Sequence, residues 1–136
     1  MPDPPSESVV AAWVRLMRAQ RRTLGLVEAR LKEAGLPPLA WYDALWELER
    51  AGDAGMRPFE LERAMLLEQY NLSRLADRLE RAGYVARRGC PGDRRGQILH
   101  LTPAGREVRQ RAWPIYAAAI EEAVGGPLGE GNATRL

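Results

Sequence analysis

The sequence predicts a mainly α-helical chain carrying one small β-hairpin, and three observations support this. Apolar residues recur at helical spacing through most of the 136 residues. Two short runs rich in β-branched, aromatic and aliphatic residues, at 84–88 (YVARR) and 97–101 (QILHL), read instead as strands. Stop and start signals (glycines, Pro-Pro, Thr-Pro) fall between the periodic stretches rather than inside them.

The elements follow in order. Residues 1–8 carry no pattern and read as frayed. Val9, Val10, Trp13, Val14, Leu16, Met17, Leu24, Val27 and Leu31 set the rhythm of a long first helix, closed by Gly35 and Pro37-Pro38. A second helix is expected from about 39 to 50, with Leu45 and Leu48 facing inward. Residues 51–55 (AGDAG) make a turn, and Pro58 suits the first position of a short third helix. In a fourth helix, expected to start near Glu68, Leu72, Leu75, Ala76, Leu79 and Ala82 form one buried stripe, ended by Gly83. The two strands are joined by a loop over 89–96. Thr102 and Pro103 then cap and open a fifth helix to about Val124, which Pro114 should kink and Gly125-Gly126-Pro127 should end. The last nine residues are weakly patterned, and no internal repeat is visible.

Composition narrows the function. Length fits one domain, no run of about 18 apolar residues suggests a membrane span, and the Pro- and acid-containing start is unlike a signal peptide. The single cysteine, Cys90, excludes an internal disulfide and fits a reducing, cytoplasmic setting. All but one of the 20 basic residues are arginine, the exception being Lys32. Their placement matters more than their number. Ten arginines (74, 78, 81, 87, 88, 94, 95, 106, 109 and 111) face only Asp77, Glu80, Asp93 and Glu107 in the same stretch, a net +6 where the whole chain carries +2. Positive charge concentrated on one helix and a hairpin suits a polyanion.

Two short helices followed by a hairpin form a winged helix-turn-helix, whose second helix enters the DNA major groove with its N-terminal residues on base edges. Those residues here are Gln69, Tyr70, Asn71, Ser73 and Arg74. Gln and Asn can pair with adenine and Arg with guanine; Arg78, farther along with Arg81, is placed for phosphates. Arg94 and Arg95 at the wing tip suit the electronegative minor groove, and Asp93 is expected to brace a wing arginine.

Three stretches, 72–85 (LSRLADRLERAGYV), 93–96 (DRRG) and 101–105 (LTPAG), in this order and spacing, resemble the MarR family of bacterial transcriptional regulators over residues 9–124. The resemblance implies one MarR-type domain over 1–136. Its winged helix-turn-helix lobe spans 36–102, and dimerisation helices span 9–35 and 103–136. It further implies a homodimer acting on double-stranded DNA at a pseudo-palindrome, as a repressor or activator answering to a small aromatic effector. The family's effector pocket lies among the first, second and fifth helices, which hold Trp13, Trp41, Trp46, Trp113, Tyr42 and Tyr116; Trp13, Trp41, Tyr42 and Trp113 are the implied lining. Two departures stand out. Glu68 is a weaker N-cap than the Ser, Thr or Asp usual there, and the glycine-containing tail at 127–136 is short for the family's sixth helix.

The alternatives are blander. A winged helix can act as an interaction module on a partner protein without specific DNA binding. Cys90 could answer to oxidants if its arginine neighbours depress its pKa, or could be a small turn residue. His100, the only histidine, has no Cys or acidic cluster at ligand spacing, so neither metal nor cofactor is expected. No P-loop, dinucleotide fingerprint or nucleophile elbow suggests an enzyme.

Overall fold

The computed structural model describes residues 1–90 and 93–136, and the side chains of Cys90 and of residues 93–96 lie outside what it describes. Helix α1 (Glu7–Glu33) starts on Ser6, whose hydroxyl accepts from the Val9 N–H at 3.3 Å. It is followed by α2 (Leu39–Ala51), a 3₁₀ turn at Gly52–Ala54, α3 (Pro58–Ala64) and α4 (Leu72–Arg81). Strands β1 (Val85–Cys90) and β2 (Asp93–Leu101) then pair antiparallel, with Val85 opposite Leu101 and Gly89 opposite Gln97. Helix α5 (Pro103–Ile120) leads through a π-helical turn at Glu121–Gly125 into α6 (Gly126–Arg135).

Several boundaries differ from the sequence expectation. The strands run further than 84–88 and 97–101. They take up most of the expected 89–96 loop, with an irregularity in register between Gly89 and Cys90. Helix α5 continues through Pro114 as one helix, and the departure from α geometry comes later, in the π turn. The tail is helical rather than patternless, but Gly129 (φ 73°, ψ 160°) breaks α6, which has no buried residue.

Two apolar clusters hold the chain. In the first, Leu45 and Leu48 of α2, Leu61 of α3, Leu75 and Leu79 of α4, Leu99 of β2 and Val108 of α5 are all buried. In the second, Val27 and Leu31 of α1 meet Leu39, Tyr42, Ala112 and Ala119. Helices α2 and α5 contribute to both, so they join the helix–hairpin unit to α1. The predicted α4 stripe is buried at Leu72, Leu75, Ala76 and Leu79. Ala82 is exposed instead, because it is the C-cap and no longer on the helical face.

The hairpin is fixed at its base. Met56 and Leu99 exchange backbone hydrogen bonds at 3.0 and 2.7 Å, adding a bridge beside β2. Gly55 makes that approach possible: it sits at φ 65°, and a Cβ there would lie 2.5 Å from the Leu99 carbonyl oxygen. Thr102 Oγ1 accepts from the Gly105 N–H (3.1 Å) and donates to the Gly83 carbonyl (2.6 Å), so one hydroxyl caps α5 and ties it to the end of α4. The N-terminus of α2 has no cap of its own, since Pro38 precedes it. Glu28 of α1 supplies one, accepting from the Leu39 N–H at 2.6 Å.

Candidate nucleic-acid interface

Helix α4 begins at Leu72, and its N-cap is Asn71, whose side-chain carbonyl accepts from the Arg74 N–H at 3.0 Å. The expectation of a weak cap at Glu68 is therefore corrected. Asn71 competes better for the orphan amides than a residue three places earlier. Gln69 and Tyr70 consequently precede the helix: Gln69 is half-buried and Tyr70 fully exposed. Asn71 keeps its amide N–H₂ free for a ligand, while its oxygen serves the cap.

Ser73, Arg74 and Arg78 are exposed on α4, opposite its buried stripe. Arg74, Arg78 and Arg81 make no ion pair among the described residues. The acids of α4 are engaged differently. Arg87 of β1 reaches Asp77 at 2.7 Å and Glu80 at 3.1 Å, so one guanidinium bridges two carboxylates, offsets one of their two charges and clamps the hairpin to α4. Arg87 therefore drops out of the basic stretch counted from sequence. What remains on α4 is a net positive face, Arg74, Arg78 and Arg81 against the one carboxylate charge that Arg87 leaves over, headed by a helix start whose dipole favours an anion. The side chains of Asp93, Arg94 and Arg95, the expected wing residues, and of Cys90 lie outside what the structure describes.

A cavity of about 640 Å³ adjoins this unit, between α2, α5 and the segment joining α3 to α4. Of the four residues expected to line an effector pocket, Tyr42 and Trp113 do so. Trp13 does not: it stands on the free part of α1, 60% exposed. Trp41 points to the opposite side of α2, edge-on to Tyr84. Trp46 and Tyr116 complete the aromatic wall instead. Tyr42, Trp113 and Tyr116 contact one another with centroids 5.0–6.2 Å apart. Burial raises both tyrosine phenols above the ordinary value of 10.0; the nearby Arg109 charge opposes this for Tyr42, and the Asp43 charge reinforces it for Tyr116.

Asp43 is the buried acid of the site, and its carboxylate accepts from the backbone N–H of Leu66 (3.1 Å) and of Leu67 (2.8 Å). It thus holds the segment that leads into α4. Sequence reasoning missed it, although an acid four residues after Leu39 on the inward face of α2 is a legible signal of a buried partner.

Among the described residues no helix is long and apolar enough to cross a membrane. The architecture defines a winged helix-turn-helix, with α3 and α4 as the helix pair, β1 and β2 as the wing, and flanking helices α1, α5 and α6. The chain is similar to the MarR family, whose sequence model matches residues 34–96. It is 33% identical over 98 residues to the transcriptional repressor MprA of Escherichia coli, covering 72% of this chain and 55% of MprA. It is 37% identical over 62 residues to the HTH-type transcriptional regulator YkoM of Bacillus subtilis, 46% of this chain and 40% of YkoM. The chain thus spans about half the length of these curated relatives. Among solved structures it resembles Sco3205, a MarR family transcriptional regulator from Streptomyces coelicolor in complex with DNA. The TM-score is 0.87 and the identity 27%, over 99% of this chain and 84% of that one.

Proposed function

We propose that this chain is a DNA-binding transcriptional regulator that acts as a homodimer on a pseudo-palindromic operator, with a small effector tuning its affinity. The observation that carries the reading is the charge arrangement on α4: Arg87 pairs with both acids, while Arg74, Arg78 and Arg81 make no ion pair among the described residues. Helix α4 enters the major groove. Arg74, Ser73 and the Asn71 amide meet base edges at its start, Gln69 and Tyr70 flank them, and Arg78 takes a phosphate. Arg94 and Arg95 reach the minor groove from the wing, with Asp93 as their brace. Residues 36–102 are the DNA-reading lobe, and 9–35 with 103–136 form the dimer lobe. The aromatic cavity behind α2 receives the effector, and repression is the sign of regulation that the likeness to MprA favours.

Titrating a duplex from the gene's own upstream region against a scrambled duplex, at several salt concentrations, tests the reading. Preference for the native duplex with a steep negative salt slope is expected, and Arg74→Ala should weaken binding while flattening that slope by about one unit. Equal, weak binding to both duplexes, unaffected by Arg74→Ala, would favour an interaction module instead.

A further inference from the structure

The cavity behind α2 has a charge character that its aromatic walls alone do not reveal. Asp43 and Glu47 both line it, against one cation, Arg109. Arg109 already lies against an acid and a ring. Its Nε is 3.0 Å from Glu49 Oε2 without forming a hydrogen bond, and Arg106 shares that carboxylate at 3.5 Å. The Arg109 guanidinium sits 5.0 Å from the centroid of the Trp46 ring. Glu47 pairs with the exposed Arg50 at 3.3 Å. Asp43 has only neutral partners: its two oxygens accept backbone N–H groups, and no Lys, Arg or His pairs with it among the described residues. A carboxylate can accept about four hydrogen bonds, so half of its capacity remains. A buried acid with no cationic partner among the described residues, beside the aromatic rings of Tyr42, Trp113 and Tyr116, is a receptor for positive charge. The Trp46–Arg109 contact shows that this wall already holds one cation. An aromatic carboxylate would meet Asp43 and Glu47 and would have to draw Arg109 away from Glu49.

We infer that the cavity takes an organic monocation, an aromatic or alkyl ammonium, whose charge faces Asp43 and whose apolar part lies against Tyr42, Trp113 and Tyr116. The inference rests on the effector-site reading of this cavity given above and adds the ligand's chemistry to it.

The test is a titration of the full chain, without DNA, by tryptophan fluorescence and calorimetry, using benzyltrimethylammonium, benzyl alcohol and benzoate. Benzyltrimethylammonium is expected to bind about tenfold tighter than either of the others, the scale of a desolvated cation–π contact with a facing carboxylate. Asp43→Asn should remove most of that advantage while leaving benzyl alcohol binding within about twofold, since a neutral ligand gains nothing from the charge. Trp113→Leu, which leaves the Asp43 hydrogen bonds intact, should weaken the cation as well and decides the matter if Asp43→Asn does not fold. Benzoate binding tighter than the cation, no binding of any of the three, or an unchanged cation preference in both variants would overturn the inference. DNA affinity measured on the same preparation separates the two readings. Specific DNA binding without cation preference refutes the ligand class alone, whereas cation preference without DNA binding upholds the site and refutes the regulator.

Discussion

Arg87 and Arg74 are both arginines of the basic stretch, yet the structure gives them opposite tasks. Arg74 makes no ion pair among the described residues and is the proposed DNA contact, whereas Arg87 is held between Asp77 and Glu80. Arg87→Ala should therefore weaken DNA binding without removing a DNA contact, because it releases two carboxylates beside the phosphates. About tenfold at low salt is expected, shrinking as salt rises. Adding Asp77→Asn should recover part of the loss, measurable by fluorescence anisotropy with a labelled duplex. The stability change should be small, about 0.5–1 kcal/mol, since the pair is partly exposed. Asp43 is the contrasting case. Asp43→Ala leaves the Leu66 and Leu67 N–H groups without their acceptor and should cost about 2 kcal/mol in denaturant unfolding, with Asp43→Asn in between. The tyrosines of the same cavity give a pH signature. Burial holds Tyr42 and Tyr116 above 10.0, so the folded chain keeps these protons where the unfolded chain loses them. Their contribution is complete below pH 10 and falls as pH rises through and beyond 10. Denaturant midpoints between about pH 8 and 11 should decline less steeply in Tyr42→Phe/Tyr116→Phe.

At the scale of elements, junctions decide more than helices. Thr102 both caps α5 and holds the Gly83 carbonyl, so Thr102→Ala should cost more than an isolated N-cap, about 1–2 kcal/mol, whereas Thr102→Ser should be nearly silent in thermal unfolding. Gly83, Pro103, the α4 stripe and the hairpin were legible because each is a local signal of backbone geometry or side-chain period. The start of α4 was not. Glu68, Asn71 and Ser73 are all polar residues that could precede the helix, and the structure uses Asn71, with Leu72 buried directly after it. Contacts between distant segments were equally out of reach: Glu28 capping α2, Arg87 crossing to α4, and Asp43 holding Leu66 and Leu67 pair residues from different elements. The aromatic cavity shows both sides of this. Abundant Trp and Tyr announced it, but helical phase alone did not leave Trp13 in the open, send Trp41 to the far side of α2 against Tyr84, or place Trp46 and Tyr116 on the cavity wall. That depended on which face of α2 meets α5.

The whole molecule leaves one surface unaccounted for by its own packing. The only buried residues of α1 are Val27 and Leu31, near its end, while Val9, Val10, Trp13, Val14, Leu16 and Met17 are 36–60% exposed. Residues 9, 13 and 16 follow one another along a helix face, with 10, 14 and 17 alongside, so these side chains form one continuous apolar band. A band of this kind on a free helix marks a protein contact, and a second copy of the chain is the partner the proposed regulator needs. Placing an acid in the band, as in Trp13→Glu or Leu16→Glu, would bury an unpaired charge in a dimer but cost little in a lone subunit whose residue is already exposed. Sedimentation should therefore show the variants as monomers with folded circular dichroism, where the parent chain is a dimer. DNA binding should fall with dimerisation, because in the proposed dimer two recognition helices about one turn apart would be joined through this lobe. A half-site duplex should then bind parent and variant alike, and the full pseudo-palindrome only the parent tightly. Variants that stay dimeric, or monomers that retain full affinity, would place the contact elsewhere.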